Sequence, residues 1–400
     1  MTTHDDTLIS TAGVDADVGY GAVMPPIYLS SNYSFAGFGE KRAHDYCRSG
    51  NPNRDMLVDV LAALEQGADG VITSTGMSAV DLVLNLIEPG ALVVAPHDCY
   101  GGTWRLFTAR AKQKRIEIAW VNQHDADAVE EALARRPALL WIETPSNPLM
   151  RVVDVVALAK QAKAFGAKVV VDNTFLSPAL QKPITLGADF VVHSTTKYIN
   201  GHSDVVGGAV IAADAADAQE LKWWANCTGV AGAPFNSWLT LRGLRTLNLR
   251  IERQQKTAGV IAERLAQHPA VRVVHYPGLK EHPSHAIAAK QQLGFGAMLS
   301  FEIAAKAEHV REFLAALDVF TLAESLGGTE SLIAHPASMT HASMAPEARA
   351  AAGIDDRLLR VSVGLEHAED LWSALERALG VLPAPTKEKA RAPKRLEAAK

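Results

Sequence analysis

The sequence has few cysteines and no long apolar run, and these absences exclude several classes of protein. Its three cysteines lie far apart without the spacing of metal ligands, which predicts free thiols: Cys47, Cys99 and Cys227. No apolar stretch approaches the roughly 18 residues of a membrane span. The N-terminal MTTHDDTLIS is polar and acidic, unlike a secretory signal. With 39 basic and 44 acidic residues, no basic excess favours nucleic acid. We therefore expect a cytoplasmic enzyme without nucleic-acid or membrane partners.

Two nucleotide-binding motifs are also missing. The turn STGMS, which follows the first apolar run, has one glycine in place of G-x-G-x-x-G, and no G-x-x-x-x-G-K-[ST] occurs in the chain. Both absences disfavour a nucleotide site. An NAD-type oxidoreductase and a binding protein without catalysis remain as alternatives from other functional classes.

The rhythm of apolar runs predicts the fold class and four parts of the chain. Residues 1–60 are turn-rich with little periodicity, so we expect this extended segment to pack on another subunit. Residues 61–245 alternate amphipathic stretches such as VVALAKQAKAFG with seven apolar runs: GVITSTG, ALVVAPHD, IEIAWVN, ALLWIETP, AKVVVDNT, ADFVVHST and GGAVIAAD. This alternation predicts a large α/β domain with a mostly parallel seven-stranded sheet covered by helices.

The remainder of the chain predicts a smaller α+β domain and a tail. Over residues 246–382 the stretch IERQQKTAGVIAERLAQHP favours a long helix, and three runs favour strands: VRVVHYP, AMLSFEI and LLRVSVGL. Residues 383–400 are rich in proline, alanine and lysine, which is typical of a flexible extension.

Polar residues follow the apolar runs, and in open α/β sheets ligands bind beyond the carboxyl ends of the strands. Asp172 closes one very apolar run, and Lys197 follows the next, 25 residues later. A buried carboxylate or ammonium is costly unless it is paired or used. One alternative is therefore a structural ion pair between Asp172 and Lys197.

The neighbours of these two residues favour a cofactor instead. Groups suited to a phosphate lie at Gly76, Met77, Ser194 and Thr196, and Tyr100 could stack on a ring. Pyridoxal phosphate uses all of them together: a lysine for its aldehyde, a carboxylate for its ring nitrogen, and hydroxyl and N–H donors for its phosphate.

Several long motifs carry a resemblance to a known family. SxTKYxNGHSDVVGG surrounds Lys197, VDNTFLSPALQ contains Asp172, and ETPSNPLMRVVD precedes residue 155. Together they resemble the Cys/Met-metabolism family of fold-type I pyridoxal enzymes, from about residue 19 to residue 380. Further motifs are most similar to members that carry out γ-replacement: AHDYCRSGNPNRD, APHDCYGGTWRLF, SWLTLRGLRT, FGAMLSFE, FTLAESLGGTESLIAHPASMTHA and MAPEARAAAGI.

The resemblance implies a role for each matching position. Lys197 would bind the cofactor covalently, Asp172 would bind the pyridinium and Tyr100 would stack on the ring. The phosphate would be held by Gly76, Met77, Ser194 and Thr196, and by Tyr46 and Arg48 of a neighbouring subunit. The substrate α-carboxylate would be held by Asn147, Ser325 and Arg360, with Asp45, Arg105 and Glu324 nearer the distal ends of the substrates.

Simpler roles remain open for some of these residues. Tyr46 could be a packing aromatic, Asn147 could hold a turn between two prolines, and Glu324 could cap the turn before two glycines. His202 and Asp204 lack a third metal ligand, so we expect a turn network there and no metal site. Cys47, Ser49 and Asn53 depart from the family pattern, and the departure at Ser49 weakens the prediction about the acyl group.

The resemblance also implies a reaction and an assembly. Cysteine would displace succinate from O-succinylhomoserine, or acetate from O-acetylhomoserine, to form cystathionine for methionine biosynthesis. The alternatives are elimination from cystathionine or methionine and sulfhydrylation of a homoserine ester, and the fold cannot separate them. We expect a homo-oligomer with a dimer as the minimum active unit, and the family implies a tetramer.

Overall fold

A seven-stranded sheet lies at the centre of the molecule. The structure, a computed structural model, describes residues 3–342, 344 and 346–384. The sheet is built from Asp69–Thr73 (β1), Leu92–Pro96 (β2), Glu117–Val121 (β3), Leu139–Glu143 (β4), Lys168–Asp172 (β5), Phe190–His193 (β6) and Gly208–Ala212 (β7). Its strand order is β1-β7-β6-β5-β4-β2-β3, and only β7 runs antiparallel to its neighbours. The prediction of a mostly parallel seven-stranded sheet is confirmed.

Helices cover both faces of this sheet, which explains why its strands read as continuous apolar runs. One face packs residues such as Val93, Trp141 and Val170 into one cluster, and the other packs Val94 and Leu140 into a second. The helices are Asp5–Ser10 (α1), Pro52–Glu65 (α2), Gly76–Val83 (α3), Gly101–Lys112 (α4), Ala126–Ala134 (α5), Val155–Ala164 (α6), Ser177–Leu180 (α7), Ala215–Thr228 (α8), Pro234–Leu244 (α9), Leu247–Gln267 (α10), His285–Gln291 (α11), Val310–Ala315 (α12), Pro346–Ala352 (α13) and Ala368–Gly380 (α14).

Local sequence signals explain where the predicted helices begin and end. In α6 the side chain of Asp154 accepts from the amide of Ala157 at the first turn, and the chain leaves the helix at Gly166, whose φ is +83°. The helix α2 was not predicted, and it begins inside the segment that we expected to be irregular. The side chain of Asn51 caps it and Pro52 occupies its first turn. These two residues are a typical helix start, but they follow a turn-rich stretch with little apolar periodicity.

A second sheet follows the long helix α10. It has the order β10-β11-β12-β9-β8, built from Val271–His275 (β8), Met298–Ile303 (β9), Thr321–Leu322 (β10), Leu332–Ala334 (β11) and Leu358–Ser362 (β12). The three predicted strands are β8, β9 and β12. The strands β10 and β11 were missed because two or three residues are too few to show a period of two. Its apolar face shares one core with α2, α10 and the β6–β7 side of the large sheet.

The four-part division of the chain remains a prediction, and residues 385–400 of its proposed tail lie outside the described residues. Across the described part of the chain, no helix combines the length and the apolar character needed to cross a membrane.

Candidate active site

A cavity of about 640 Å³ opens at the carboxyl ends of the central strands. At this edge the chain leaves β2 towards one side of the sheet and β4 towards the other, which is where open α/β sheets form a binding crevice. Twelve of the fifteen predicted site residues line the cavity: Gly76, Met77, Tyr100, Arg105, Asn147, Asp172, Ser194, Thr196, Lys197, Glu324, Ser325 and Arg360. The structure thus brings together residues that are up to 284 positions apart.

Lys197 lines the cavity, and its amine is held by one hydroxyl. Its Nζ donates to Oγ of Ser325 at 2.9 Å. Burial, followed by the charge of Arg360, lowers the pKa of Lys197 to about 8. A substantial fraction of the amine is therefore uncharged near neutral pH, as a nucleophile or a base requires.

Asp172 ends β5 and lies in the same cavity without a cationic partner. Its carboxylate accepts from the amide of Thr174 at 3.0 Å, and no salt bridge to it, from Lys197 or any other cation, is found among the described residues. The structural ion pair between Asp172 and Lys197 is therefore not formed. Burial raises the pKa of Asp172, so a cationic group placed opposite it would be stabilised. A protonated pyridine nitrogen fits that description.

The beginning of α3 packs tightly against the end of β6. A Cβ on Gly76 would lie 2.7 Å from Cβ of Ser194, so only glycine fits at this contact. The side chain of Thr75 caps the amide of Ser78 at 2.9 Å. The amides of Gly76 and Met77 precede the first intrahelical bond, which Ala79 donates to Thr75. This corner offers backbone donors and the Ser194 hydroxyl to a phosphate.

Arg360 lies in β12 and is 3% exposed. Its Nη1 donates to Oδ1 of Asn147 at 3.0 Å and its Nη2 to the carbonyl of Ser325 at 3.0 Å, while its Nε has no partner among the described residues. Burial lowers the pKa of Arg360 to about 10. A buried guanidinium that is held by neutral acceptors and faces a cavity is suited to a carboxylate ligand.

Tyr100 is the N-cap residue directly before α4, and its backbone amide donates to Oε2 of Glu143 at 2.8 Å. Burial raises the pKa of the Tyr100 phenol; the nearby Glu324 carboxylate adds to this effect and Arg105 opposes it. Arg105 and Glu324 line the same cavity and are near enough to the Tyr100 phenol to act on its charge.

Three predicted residues do not reach the cavity of their own chain. Arg48 donates to the carbonyl of Asn226 at 3.0 Å and lies 5.7 Å over the ring of Tyr46. Tyr46 is 49% exposed. Asp45 accepts from Lys41 and from Ser49, at 2.6 and 2.8 Å, and these bonds lower its pKa to about 2. That Tyr46 and Arg48 hold the phosphate in a neighbouring subunit, with Asp45 near the substrates, stays a prediction.

The two residues that suggested a metal form a turn network. Nδ1 of His202 lies 2.8 Å from the carbonyl of Asn200, whose side-chain amide donates to Asp204 at 2.7 Å. Within the described ranges, no group of three or more histidine, cysteine, aspartate or glutamate side chains could hold a metal ion.

Glu143 and Thr174 also line the cavity, although neither was among the predicted site residues. Glu143 is the polar end of the run LLWIE, so the rule that identified Asp172 could have identified it. Thr174 ties two strand ends together, because its Oγ1 accepts from the amide of Ser194 at 2.9 Å.

The chain matches known proteins along most of its length. The family model of the Cys/Met metabolism PLP-dependent enzymes matches residues 6–380. The cystathionine gamma-synthase of Escherichia coli (strain K12) is 55% identical over 377 residues, which cover 94% of this chain and 98% of that protein. The cystathionine gamma-lyase of Bacillus subtilis (strain 168) is 44% identical over 373 residues, 93% of this chain and 98% of that protein.

A solved structure agrees with this fold. The crystal structure of cystathionine gamma synthase from Xanthomonas oryzae pv. oryzae, in complex with aminoacrylate and cysteine, has a TM-score of 0.94 and 58% sequence identity. The match covers 95% of this chain and 98% of that chain.

Proposed function

The chain belongs to the family of Cys/Met metabolism PLP-dependent enzymes, and we propose that within this family it catalyses the cystathionine gamma-synthase reaction. In that reaction cysteine displaces succinate from O-succinylhomoserine, and cystathionine is formed for methionine biosynthesis. O-acetylhomoserine is the alternative acyl donor. The observation that carries the proposal is the 55% identity to a cystathionine gamma-synthase over 94% of the chain, against 44% for a gamma-lyase.

The cofactor is pyridoxal 5'-phosphate, and the residues of the cavity fit it. Asp172 is a partly buried carboxylate with no cationic partner among the described residues, Lys197 offers an amine with a lowered pKa, and a Cβ at Gly76 would collide with Ser194. When bound, the cofactor supplies an electrophilic carbon for amines and a ring that withdraws electrons from the substrate Cα. Lys197 would hold its aldehyde carbon, Asp172 its ring nitrogen, and the α3 corner with Thr196 its phosphate.

Lys197 has two tasks in the proposed mechanism. It would anchor the cofactor, and with a substrate bound its free amine would take the proton from Cα. The same amine would carry protons at the neighbouring carbons as the sulfur of cysteine replaces succinate at Cγ. With a pKa of about 8, the Lys197 amine can both accept and release a proton near neutral pH. The Ser325 hydroxyl orients its Nζ.

Arg360, Asn147 and Ser325 form the proposed clamp for the substrate α-carboxylate. Nε of Arg360 is buried without a partner among the described residues, and its Nη atoms are fixed by neutral acceptors. A carboxylate would therefore enter a preorganised site, which lowers the entropic cost of orienting the substrate. Arg105 and Glu324 also line the cavity, and they would meet the acyl group and the ammonium of the second substrate.

We also propose that the active unit is a cytoplasmic homodimer or larger, with Tyr46 and Arg48, and Asp45 nearer the substrate, reaching the neighbour's site. The support is geometric, because all three lie outside the cavity of their own chain and Tyr46 is half exposed. The family resemblance favours a tetramer built from such dimers.

The experiment that tests the reaction is a product assay. Purified enzyme is supplied with O-succinylhomoserine, O-acetylhomoserine, cystathionine or methionine, each with and without cysteine. The proposal expects cystathionine from an acylhomoserine plus cysteine as the fastest reaction. Faster release of α-ketobutyrate and cysteine from cystathionine would instead identify a gamma-lyase, the second candidate, which the 44% identity to such an enzyme supports.

A further inference from the structure

Glu143 is a buried carboxylate in the cavity to which neither the resemblance nor the proposed mechanism gives a task. It is the last residue of β4 and is 7% exposed. It faces Asp172 directly across the pair β4–β5, since the two are register partners. A carboxylate at this depth costs several kcal/mol unless its oxygens are satisfied, so its partners indicate what it does.

Its two oxygens accept from the backbones of two different loops. Oε2 accepts from the amide of Tyr100, after β2, at 2.8 Å, and Oε1 accepts from the amide of Asn147, after β4, at 3.2 Å. Tyr100 is the residue directly before the helix α4, and it lines the cavity. Asn147 is the partner of Arg360. One side chain therefore spans the crevice and connects the ring-stacking residue to the carboxylate clamp.

The Asn147 backbone is also held at its carbonyl. Nε2 of His341 lies 3.0 Å from that oxygen, and burial lowers the pKa of His341 to about 4. The imidazole is thus neutral at physiological pH, and its Nε2–H must donate because a carbonyl only accepts. Glu143 holds the amide of Asn147 and His341 holds its carbonyl. These two hydrogen bonds fix the backbone of Asn147, so its side chain is positioned to accept from Arg360.

We propose that Glu143 is a positioning residue that must act as a carboxylate. Its two oxygens fix the positions of Tyr100 and of Asn147, the partner of Arg360. Glutamine cannot replace Glu143, because an amide presents one acceptor and one donor, and the donor would face a backbone N–H. Burial and the neighbouring Asp172 raise the pKa of Glu143 and so disfavour its negative charge. The hydrogen bonds from the amides of Tyr100 and Asn147 act in the opposite direction and stabilise that charge. A cationic ring nitrogen bound at Asp172 would also stabilise it.

This inference rests on the proposed function, and the test uses Glu143→Gln with Glu117→Gln as the matched control. Glu117 is a terminal glutamate of another strand of this sheet, the first residue of β3, but its pair with Arg135 is on the surface. The first readout needs no turnover: the dissociation constant for pyridoxal phosphate and the visible circular dichroism of the bound cofactor. The second is the split between KM and kcat for an acylhomoserine.

For Glu143→Gln we expect an altered cofactor dichroism and a KM raised by about tenfold or more, while Glu117→Gln matches the wild type. In an Asn147→Ala background the KM effect should fall below about threefold, because the clamp is already lost, whereas the dichroism change persists through Tyr100. A purely structural role would lower the melting temperature and leave dichroism and KM unchanged, which would overturn the proposal.

Two further arms separate the possible failures. If Glu143→Gln does not fold, Glu143→Asp keeps the charge but is one methylene shorter, and wild-type dichroism and KM in that variant contradict the inference. If the wild-type enzyme binds pyridoxal phosphate but does not use acylhomoserines, the proposed substrate is wrong. The dichroism comparison still decides the role of Glu143 in that case.

Discussion

At the scale of single residues, Asp172 is the side chain whose charge the chemistry depends on most. In Asp172→Asn the amide still accepts from Thr174, but it no longer keeps a ring nitrogen protonated. A charge contact in a partly dry site is worth several kcal/mol at the transition state. We expect a loss of about a thousandfold in the chemical step, measured by single-turnover kinetics at equal cofactor occupancy. Activity within about threefold of wild type would contradict this role.

Arg360 makes a different prediction, which concerns binding. Arg360→Ala removes a forked donor and leaves the Asn147 side chain and the Ser325 carbonyl without their partner. The KM should rise for every amino-acid substrate, because the α-carboxylate is common to all of them. The expected loss of binding free energy is roughly 2–4 kcal/mol. Steady-state kinetics with two acylhomoserines and with cystathionine check this.

Two variants serve as references for Arg360. Arg360→Lys keeps the charge without the fork and should recover only part of the loss. Arg110→Ala, which removes a surface pair with Asp81, should leave the KM unchanged. A change confined to one substrate would place Arg360 at a distal group instead.

At the scale of secondary-structure elements, the contact between α3 and the end of β6 shapes the proposed phosphate corner. Gly76→Ala would place a Cβ 2.7 Å from Cβ of Ser194, so the helix must shift away and its first amides must move. We expect cofactor affinity to fall by about tenfold or more, measured by titration of the apoenzyme with pyridoxal phosphate. Gly259→Ala in α10, where no atom lies within 4 Å of the added Cβ, is the control and should stabilise the fold slightly.

The same elements show what can be predicted from sequence and what cannot. Buried parallel strands are continuous apolar runs that end in a polar residue, and this pattern located all seven strands and placed Asp172 and Lys197 at one edge. The short strands β10 and β11 have no period to detect, and α2 depended on a cap at Asn51 within a turn-rich segment. The position of Glu143 at the polar end of LLWIE was readable in the same way, but its contacts with the backbone amides of Tyr100 and Asn147 were not, because no residue pattern reveals backbone partners.

At the scale of the whole molecule, the segment before α2 leaves several large apolar side chains exposed. Phe38, Tyr20 and Val18 are almost completely exposed, and Tyr46 is half exposed. Exposed apolar side chains of this kind favour an interface. The segment carries Tyr46 and Arg48, which do not reach the cavity of their own chain, so we predict that they complete the phosphate site of the partner subunit.

Two inactive variants can test this prediction by complementing each other. Arg48→Ala should weaken cofactor retention, because a phosphate loses a fork of donors, and Lys197→Ala should abolish turnover. In a mixed dimer the Arg48→Ala subunit keeps its own Lys197 and receives an intact Arg48 from its partner, so that site is wild type while the other site carries both defects. Random pairing makes about half of the dimers mixed, each with one good site of two, so co-expression should restore about a quarter of wild-type activity. Differently tagged chains, purified through both tags, confirm that mixed dimers form and should show about half of wild-type activity per dimer. If such dimers are no more active than the average of the two parents, Arg48 acts within its own subunit and the shared site is wrong.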